Sequence, residues 1–140
     1  MWVTDVGDRK LKKLDSSGNI LMSVDVGVQP GWPVFDGMNI WVPNFISDSV
    51  TVVRASGVFS GTVLATLTGN GLSAPVQAAF DGERVLVTNS NGDNVSLWKA
   101  SNLTGMGSCQ MGTFSIPNGA CSDGDNFWIT LAGTDKLVRY

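Results

Sequence analysis

Histidine is absent from this chain, and charged residues make up only 15% of its 140 residues, against a usual share of about 25%. The missing imidazole removes the commonest general base and the commonest metal ligand of proteins. No serine–histidine or cysteine–histidine pair, zinc-ligand spacing or glycine-rich phosphate loop is present, so we name no catalytic residue and no metal ligand. The net charge of −3 argues against a nucleic acid or an anionic membrane as partner.

Long hydrophobic runs are also missing. No apolar segment approaches the roughly 18 residues that cross a bilayer, so we expect no membrane span. The segment Met1–Asp8 has neither a basic nor an apolar signal region, and we expect no signal peptide in it. Low charge and loops rich in serine, threonine and asparagine favour an extracellular, surface or virion location in a bacterial or phage assembly.

An Asp-Gly dipeptide recurs along the chain, in steps of 45 and 42 residues. A proline stands six residues before each aspartate, and a bulky apolar residue stands five residues after it. A second aspartate precedes the next apolar segment in three of four copies. These positions are Asp36-Gly37, Asp81-Gly82 and Asp123-Gly124 for the dipeptide; Trp41, Leu86 and Trp128, with Trp2 in the same register, for the apolar residue; and Asp48, Asp93 and Asp135 for the second aspartate.

The repeats span approximately residues 1–29, 30–74, 75–116 and 117–140. In the second repeat, segments rich in valine, isoleucine and threonine predict strands near 34–36, 40–42, 50–54 and 62–68. The Asp-Gly dipeptide favours a two-residue type I′ turn between strands. Four antiparallel strands in each repeat of about 42–45 residues are typical of a β-propeller blade. A β-sandwich could use similar strands, but it would not need them to repeat in register.

The repeated motifs resemble those of known propellers. Val87-Thr88-Asn89 followed by Asn94-Val95-Ser96 resembles the YVTN-type repeat, and Trp41–Asn44 followed by Ser49–Val52 is a second copy. NHL repeats and the repeats of streptogramin B lyase look similar over essentially the whole chain. The resemblance to the lyase would imply a catalytic histidine, an acidic partner and magnesium. Because the chain has no histidine, that activity cannot be assigned to any position here.

The strand pattern predicts about three and a half blades. Two are complete, the first lacks its inner strand and the last lacks its outer strand. Propellers typically close with about 4–8 blades, and open sheet faces favour aggregation. We therefore expect either part of a longer propeller or copies that associate to close a ring, with self-association or a protein partner in both cases.

Four residues are candidates for binding. Asp48, Asp93 and Asp135 could ring one face and hold calcium or magnesium, but the pattern favours hydrogen bonds from the backbone of their own turns. Trp32, between two prolines near the start of a predicted strand, is a candidate for a contact at the channel mouth or in a loop. Since Leu86 shares the repeat position of the three other tryptophans, that position favours packing between blades over a sugar-binding platform.

The two cysteines, Cys109 and Cys121, fall on predicted outer and inner strands. Three strand spacings of about 4.8 Å exceed the reach of a disulfide. We therefore expect two free, mostly buried thiols.

The sequence favours a non-catalytic propeller repeat module that acts as a binding or structural scaffold and needs no cofactor. The alternative is a lyase- or hydrolase-like propeller enzyme that uses channel carboxylates and a divalent metal.

Overall fold

The computed structural model describes all 140 residues and contains strands, turns and loops. It has no helix of the length and hydropathy that crosses a membrane. The fourteen strands are β1 (Trp2–Asp5), β2 (Lys10–Leu14), β3 (Ile20–Asp25), β4 (Val34–Phe35), β5 (Asn39–Asn44), β6 (Ser49–Arg54), β7 (Val63–Leu67), β8 (Pro75–Phe80), β9 (Arg84–Asn89), β10 (Asn94–Lys99), β11 (Thr104–Gln110), β12 (Pro117–Ser122), β13 (Phe127–Leu131) and β14 (Lys136–Arg139).

The strands pair antiparallel, in chain order, into four sheets: β1–β3, β4–β7, β8–β11 and β12–β14. We call these sheets blades 1 to 4. The first strand of blade 3 contacts the first strands of blades 2 and 4, so these three strands form the inner edge of a fan of blades. The all-β class and the blade pattern are confirmed, and the sheets do not close into a ring. Blade 1 lacks an inner strand and blade 4 lacks an outer one.

Neighbouring blades pack face to face through three apolar clusters. Strands β5, β6, β9 and β10 are buried almost throughout, because both faces of blades 2 and 3 are covered. Burying one valine or leucine side chain contributes roughly 1.5–3 kcal/mol. The clusters are Leu11, Val24, Ile40, Val42, Val53 and Ala55 between blades 1 and 2; Trp41, Val50, Val52, Ala78, Val85, Val87 and Trp98 between blades 2 and 3; and Ala79, Leu86, Val95, Leu97, Ala120, Phe127, Ile129 and Leu131 between blades 3 and 4.

The Asp-Gly dipeptides do form two-residue turns, but the predicted turn type is wrong. A type I′ turn needs positive φ at both loop residues. Here the loop residues are the glycine and the one that follows it, and of these two only the glycine has a positive φ, 97° at Gly37, 105° at Gly82 and 100° at Gly124. The aspartate precedes the loop, and this arrangement is that of a type II′ turn.

Each of these aspartates uses its side chain to close the turn. In blade 2, Asp36 Oδ1 accepts the N–H groups of Met38 (2.8 Å) and Asn39 (2.7 Å), and Oδ2 accepts the indole N–H of Trp41 (2.6 Å). Asp123 receives the indole of Trp128 in the same way, at 2.8 Å. The tryptophan therefore contributes a hydrogen bond as well as the bulk inferred from sequence.

Blade 3 shows how the same turn is closed without a tryptophan. Leu86 has no N–H in its side chain, and Arg84 Nε donates to Asp81 Oδ2 instead, at 2.7 Å. The carboxylate is satisfied in every copy, although the donor changes.

Both cysteines are free, as predicted. The expectation that both are mostly buried is wrong for Cys121, which is exposed, while Cys109 is half-buried. Cys121 pairs with Trp128 across the sheet, on the face of blade 4 that no further blade covers.

We predict that Asp36→Ala lowers the free energy of unfolding by about 2 kcal/mol, since hydrogen bonds to a charged group contribute roughly 1.5–3 kcal/mol. Urea denaturation followed by tryptophan fluorescence measures the change. Asp125→Ala is the matched control, because that exposed side chain makes no hydrogen bond in the second position of its turn, and we expect it to stay within about 0.5 kcal/mol of the parent. Equal losses in the two variants would contradict the role given to Asp36.

Candidate binding site at the inner edge of the blades

A cavity of about 430 Å³ lies at the inner edge, where the loops after the second strand of each complete blade meet the starts of the inner strands. All four blades contribute to its wall. We call it the inner-edge cavity and define it by Thr4 and Val6 of blade 1, Trp32 and Phe45 of blade 2, Ser90 of blade 3 and Asn118 of blade 4.

Trp32 is held in this wall by its backbone. Its N–H donates to the carbonyl of Val76 (3.0 Å), and its own carbonyl accepts the N–H of Ala78 (3.2 Å). The preceding Gly31 lies so close to the Val76 carbonyl that a Cβ at this position would collide with it. The backbone of blade 2 is thus fastened to blade 3 at this point, and the glycine is required by the close approach.

The side chain of Trp32 is 59% exposed, in contrast to Trp41, which is fully buried. Its indole N–H has no partner in the protein, since none of the hydrogen bonds involves it. Tryptophan normally pairs its N–H and buries its rings when it serves packing alone. An exposed indole on a fixed backbone is instead suited to contact a ligand.

The wall of the inner-edge cavity carries no charged side chain. The hydroxyls of Thr4 and Ser90 already donate to the carbonyls of Gly31 (3.0 Å) and Ala74 (3.2 Å). The side-chain amides of Gln29 and Asn118, which also line the cavity, make no hydrogen bond within the protein. The cavity therefore offers an aromatic surface and free amides to a ligand, and no charged side chain lines it.

The structure places the candidate aspartates elsewhere. Asp48 Oδ1 accepts the N–H of Ala74 at 2.7 Å. Asp93 accepts the N–H groups of Phe114 (2.8 Å) and Ile116 (3.0 Å). The prediction that these carboxylates bond their own turns is wrong: each holds the segment that leads into the inner strand of the next blade.

Asp135 has the same left-handed backbone as its two counterparts, with φ of 54° against 45° for Asp48 and 52° for Asp93. Its carboxylate is exposed and makes no hydrogen bond or ion pair. The three aspartates lie on three different blades, and nowhere in the structure do three or more acidic or thiol side chains converge as a metal-binding group.

The sequence singled out Trp32 as a candidate, and the structure places it in the wall of this cavity; the residues around it were not predicted. Gln29 precedes one of the repeated prolines. Val6, Phe45 and Ser90 share one repeat position, directly after the equivalent strands β1, β5 and β9. Such positions converge at the inner edge of a fan, and their alignment across repeats is the signal that could have found them.

The described geometry can be compared with known proteins. No protein-family model matches the chain, and no curated protein matches it. Among solved structures, a catalytically inactive variant of virginiamycin B lyase from Staphylococcus aureus with quinupristin superposes with a TM-score of 0.80 at 16% identity, covering 99% of this chain and 46% of that one. The chain has a streptogramin B lyase-like propeller fold.

Solved structures with other descriptions superpose about as well. Hydrazine synthase of Kuenenia stuttgartiensis gives a TM-score of 0.78 at 18% identity over 94% of this chain and 39% of that one. A functionally unknown protein from Desulfotomaculum acetoxidans gives 0.82 at 11% identity over 99% and 45%. The chain spans less than half the length of these three proteins. At these identities the likeness concerns the fold.

We predict that the folded state becomes less stable as pH is lowered through the acid range, because carboxylates that hold linkers and turns become protonated. The N–H groups of Ile116 and Phe114 lower the pKa of Asp93 in the folded state, and the Trp128 indole lowers that of Asp123. A depressed folded pKa gives stability that is present above the unfolded value of about 4 and is lost as pH falls through the folded value. Thermal unfolding between pH 5 and pH 2.5 should show a decreasing Tm.

Asp93→Asn should have a lower Tm at pH 5 and a flatter dependence on pH, since asparagine keeps the left-handed backbone but does not titrate. Asp135→Asn is the control, because its carboxylate holds nothing. A parent-like pH profile in Asp93→Asn would show that this linker contact does not stabilise the folded state.

Proposed function

We propose that this chain is a non-catalytic propeller module that binds a neutral, hydroxyl-rich ligand, of the oligosaccharide class, in the inner-edge cavity. The observation that carries the proposal is the exposed indole of Trp32 on a backbone fixed by two hydrogen bonds. A rigid aromatic side chain gives contact area at a low cost in conformational entropy.

The chemistry of the wall supports a neutral ligand. An indole presents a flat apolar face to the C–H groups of a sugar ring, while the free amides of Gln29 and Asn118 can donate to and accept from its hydroxyls. No lysine, arginine, aspartate or glutamate lines the cavity to select a charged group. Its volume of about 430 Å³ lies within the roughly 300–1,000 Å³ of small-molecule sites.

The alternative function, a lyase or hydrolase that uses channel carboxylates and a metal, has less support. Such chemistry needs acid and base groups beside the ligand. The wall of the cavity has no acidic side chain, and the carboxylates of Asp48 and Asp93 are engaged by backbone N–H groups. These contacts favour binding over catalysis.

We expect N,N′-diacetylchitobiose, cellobiose or maltose to bind, as seen in ¹H–¹⁵N NMR by a shift of the Trp32 indole cross-peak. Trp32→Ala should weaken binding at least about tenfold, equivalent to 1.4 kcal/mol, with little change in Tm. Phe59→Ala is the control, because Phe59 is exposed but lies outside the cavity.

A negatively charged trisaccharide, 3′-sialyllactose, tests the neutral character of the site and should bind no better than the neutral sugars. Binding that survives Trp32→Ala, or no shift with any of the three disaccharides, would contradict the proposed function.

A further inference from the structure

The faces that blades 2 and 3 turn toward the next blade are built from the same repeat positions. Residues paired across a sheet share a face, and each set packs in the apolar cluster shared with the following blade. The sets are Val34, Trp41, Val50 and Val52 in blade 2, and Ala79, Leu86, Val95 and Leu97 in blade 3.

Blade 4 carries the corresponding face with nothing against it. Cys121 pairs with Trp128, and Trp128 with Arg139; Leu137 completes the set, which we call the outer face of blade 4. Leu137 is 63% exposed, whereas its counterparts Val50 and Val95 are fully buried. A half-buried tryptophan and an exposed leucine on one sheet face mark a contact surface.

The aspartate at the edge of each face shows what covers it. Asp48 and Asp93 reach past their own blade to backbone N–H groups of the segment that enters the next inner strand. Asp135 holds the same left-handed backbone in blade 4, and its carboxylate is free. Its counterparts indicate that the missing donor is the backbone N–H of a further inner strand.

The opposite end of the fan is built differently. In blades 2 and 3, the face toward the preceding blade buries a neutral network, in which Asn44 Nδ2 donates to Ser49 Oγ and Thr51 Oγ1, and Asn89 Nδ2 donates to Asn94 Oδ1 and Ser96 Oγ.

In blade 1 the equivalent positions are Asp5, Lys10 and Lys12, and Lys12 Nζ lies 2.7 Å from Asp5 Oδ2. Ion pairs tolerate water well but are costly to bury. The outer face of blade 1 is therefore suited to solvent, as in a capping repeat.

We propose that the outer face of blade 4 docks a propeller blade that is not among these 140 residues, and that Asp135 accepts the backbone N–H groups leading into that blade's inner strand. This interface is independent of the inner-edge cavity.

A second copy of this chain does not fit this surface in the same register. Its blade 1 has no inner strand to supply the N–H groups that Asp135 needs. Docking would also bury the ion pairs of Asp5, Lys10 and Lys12. The ring of associated copies considered from sequence is thus disfavoured relative to a separate blade.

The test extends the chain by one blade in register. Tyr140 corresponds to Val53 in the repeat, so a second copy of residues 54–98 is appended after Tyr140. The added segment supplies the missing outer strand of blade 4 and a further inner strand. In the parent chain, Asp48 contacts the segment that enters this same inner strand. Cys109→Ser in all chains leaves Cys121 as the single thiol. We expect Cys121 to react with a thiol reagent about tenfold more slowly in the extended chain, because reaction then requires local opening.

Asp135→Gly removes the carboxylate but keeps the left-handed backbone, because glycine adopts that conformation freely. It should lower the Tm of the extended chain by about 3–5 °C and leave the Tm of the 140-residue chain unchanged or slightly higher. Unchanged reactivity of Cys121 in a folded extended chain, or equal effects of Asp135→Gly in both chains, would overturn the proposal.

A second extension is used if the first extended chain does not fold. Tyr140 also corresponds to Trp98 in the repeat, so residues 99–140 are repeated after Tyr140, with the added cysteines changed to serine. Light scattering of the 140-residue chain supplies an independent outcome. We expect a monomer with a reactive Cys121. A dimer that protects Cys121 and dissociates on Leu137→Lys would overturn the proposal in favour of a second copy.

Discussion

The packing of one sheet face on the next is the interaction on which the rest of this structure depends. Strands β5, β6, β9 and β10 are buried on both faces by the neighbouring blades, so blades 2 and 3 depend on their neighbours to stay folded. The turns closed by Asp36, Asp81 and Asp123 shape the blades, and Asp48 and Asp93 fix how one blade follows another. The inner-edge cavity exists because these contacts bring loops from four blades together.

The repeat made much of the fold predictable. Dipeptide spacing and strand composition were enough to place the blades, because turns and alternation are local properties. The partners of Asp48 and Asp93 were not predictable, since they depend on where a linker more than 20 residues away lies. Trp32 could be singled out by its position among prolines, but Gln29 and Asn118 are 89 positions apart and meet only when three blades have packed.

The linkers into the inner strands have strained backbone conformations, and two of them help to form the inner-edge cavity. Gln29, Ala74 and Ile116 each precede a proline and have positive φ, at 56°, 50° and 47°. A non-glycine residue in this region costs of order 1–3 kcal/mol, and a β-branched one such as Ile116 is the least suited to it. The bonds from Asp48 and Asp93 offset this cost at two of the three linkers. The same conformation sets Pro30 and Pro75 into the wall of the cavity.

The anchoring of Trp32 to blade 3 has a consequence for local unfolding. Inter-blade packing in this fan joins only neighbours, so stability is approximately a sum of nearest-neighbour terms. Blades 1 and 4, covered on one side, then open more often than blades 2 and 3, and their amide hydrogens exchange first. The part of the wall formed by Trp32, Phe45 and Ser90 belongs to blades 2 and 3, for which we expect the slowest exchange. This part therefore keeps its shape when blade 1 or blade 4, which supply Thr4 and Asn118, unfolds locally.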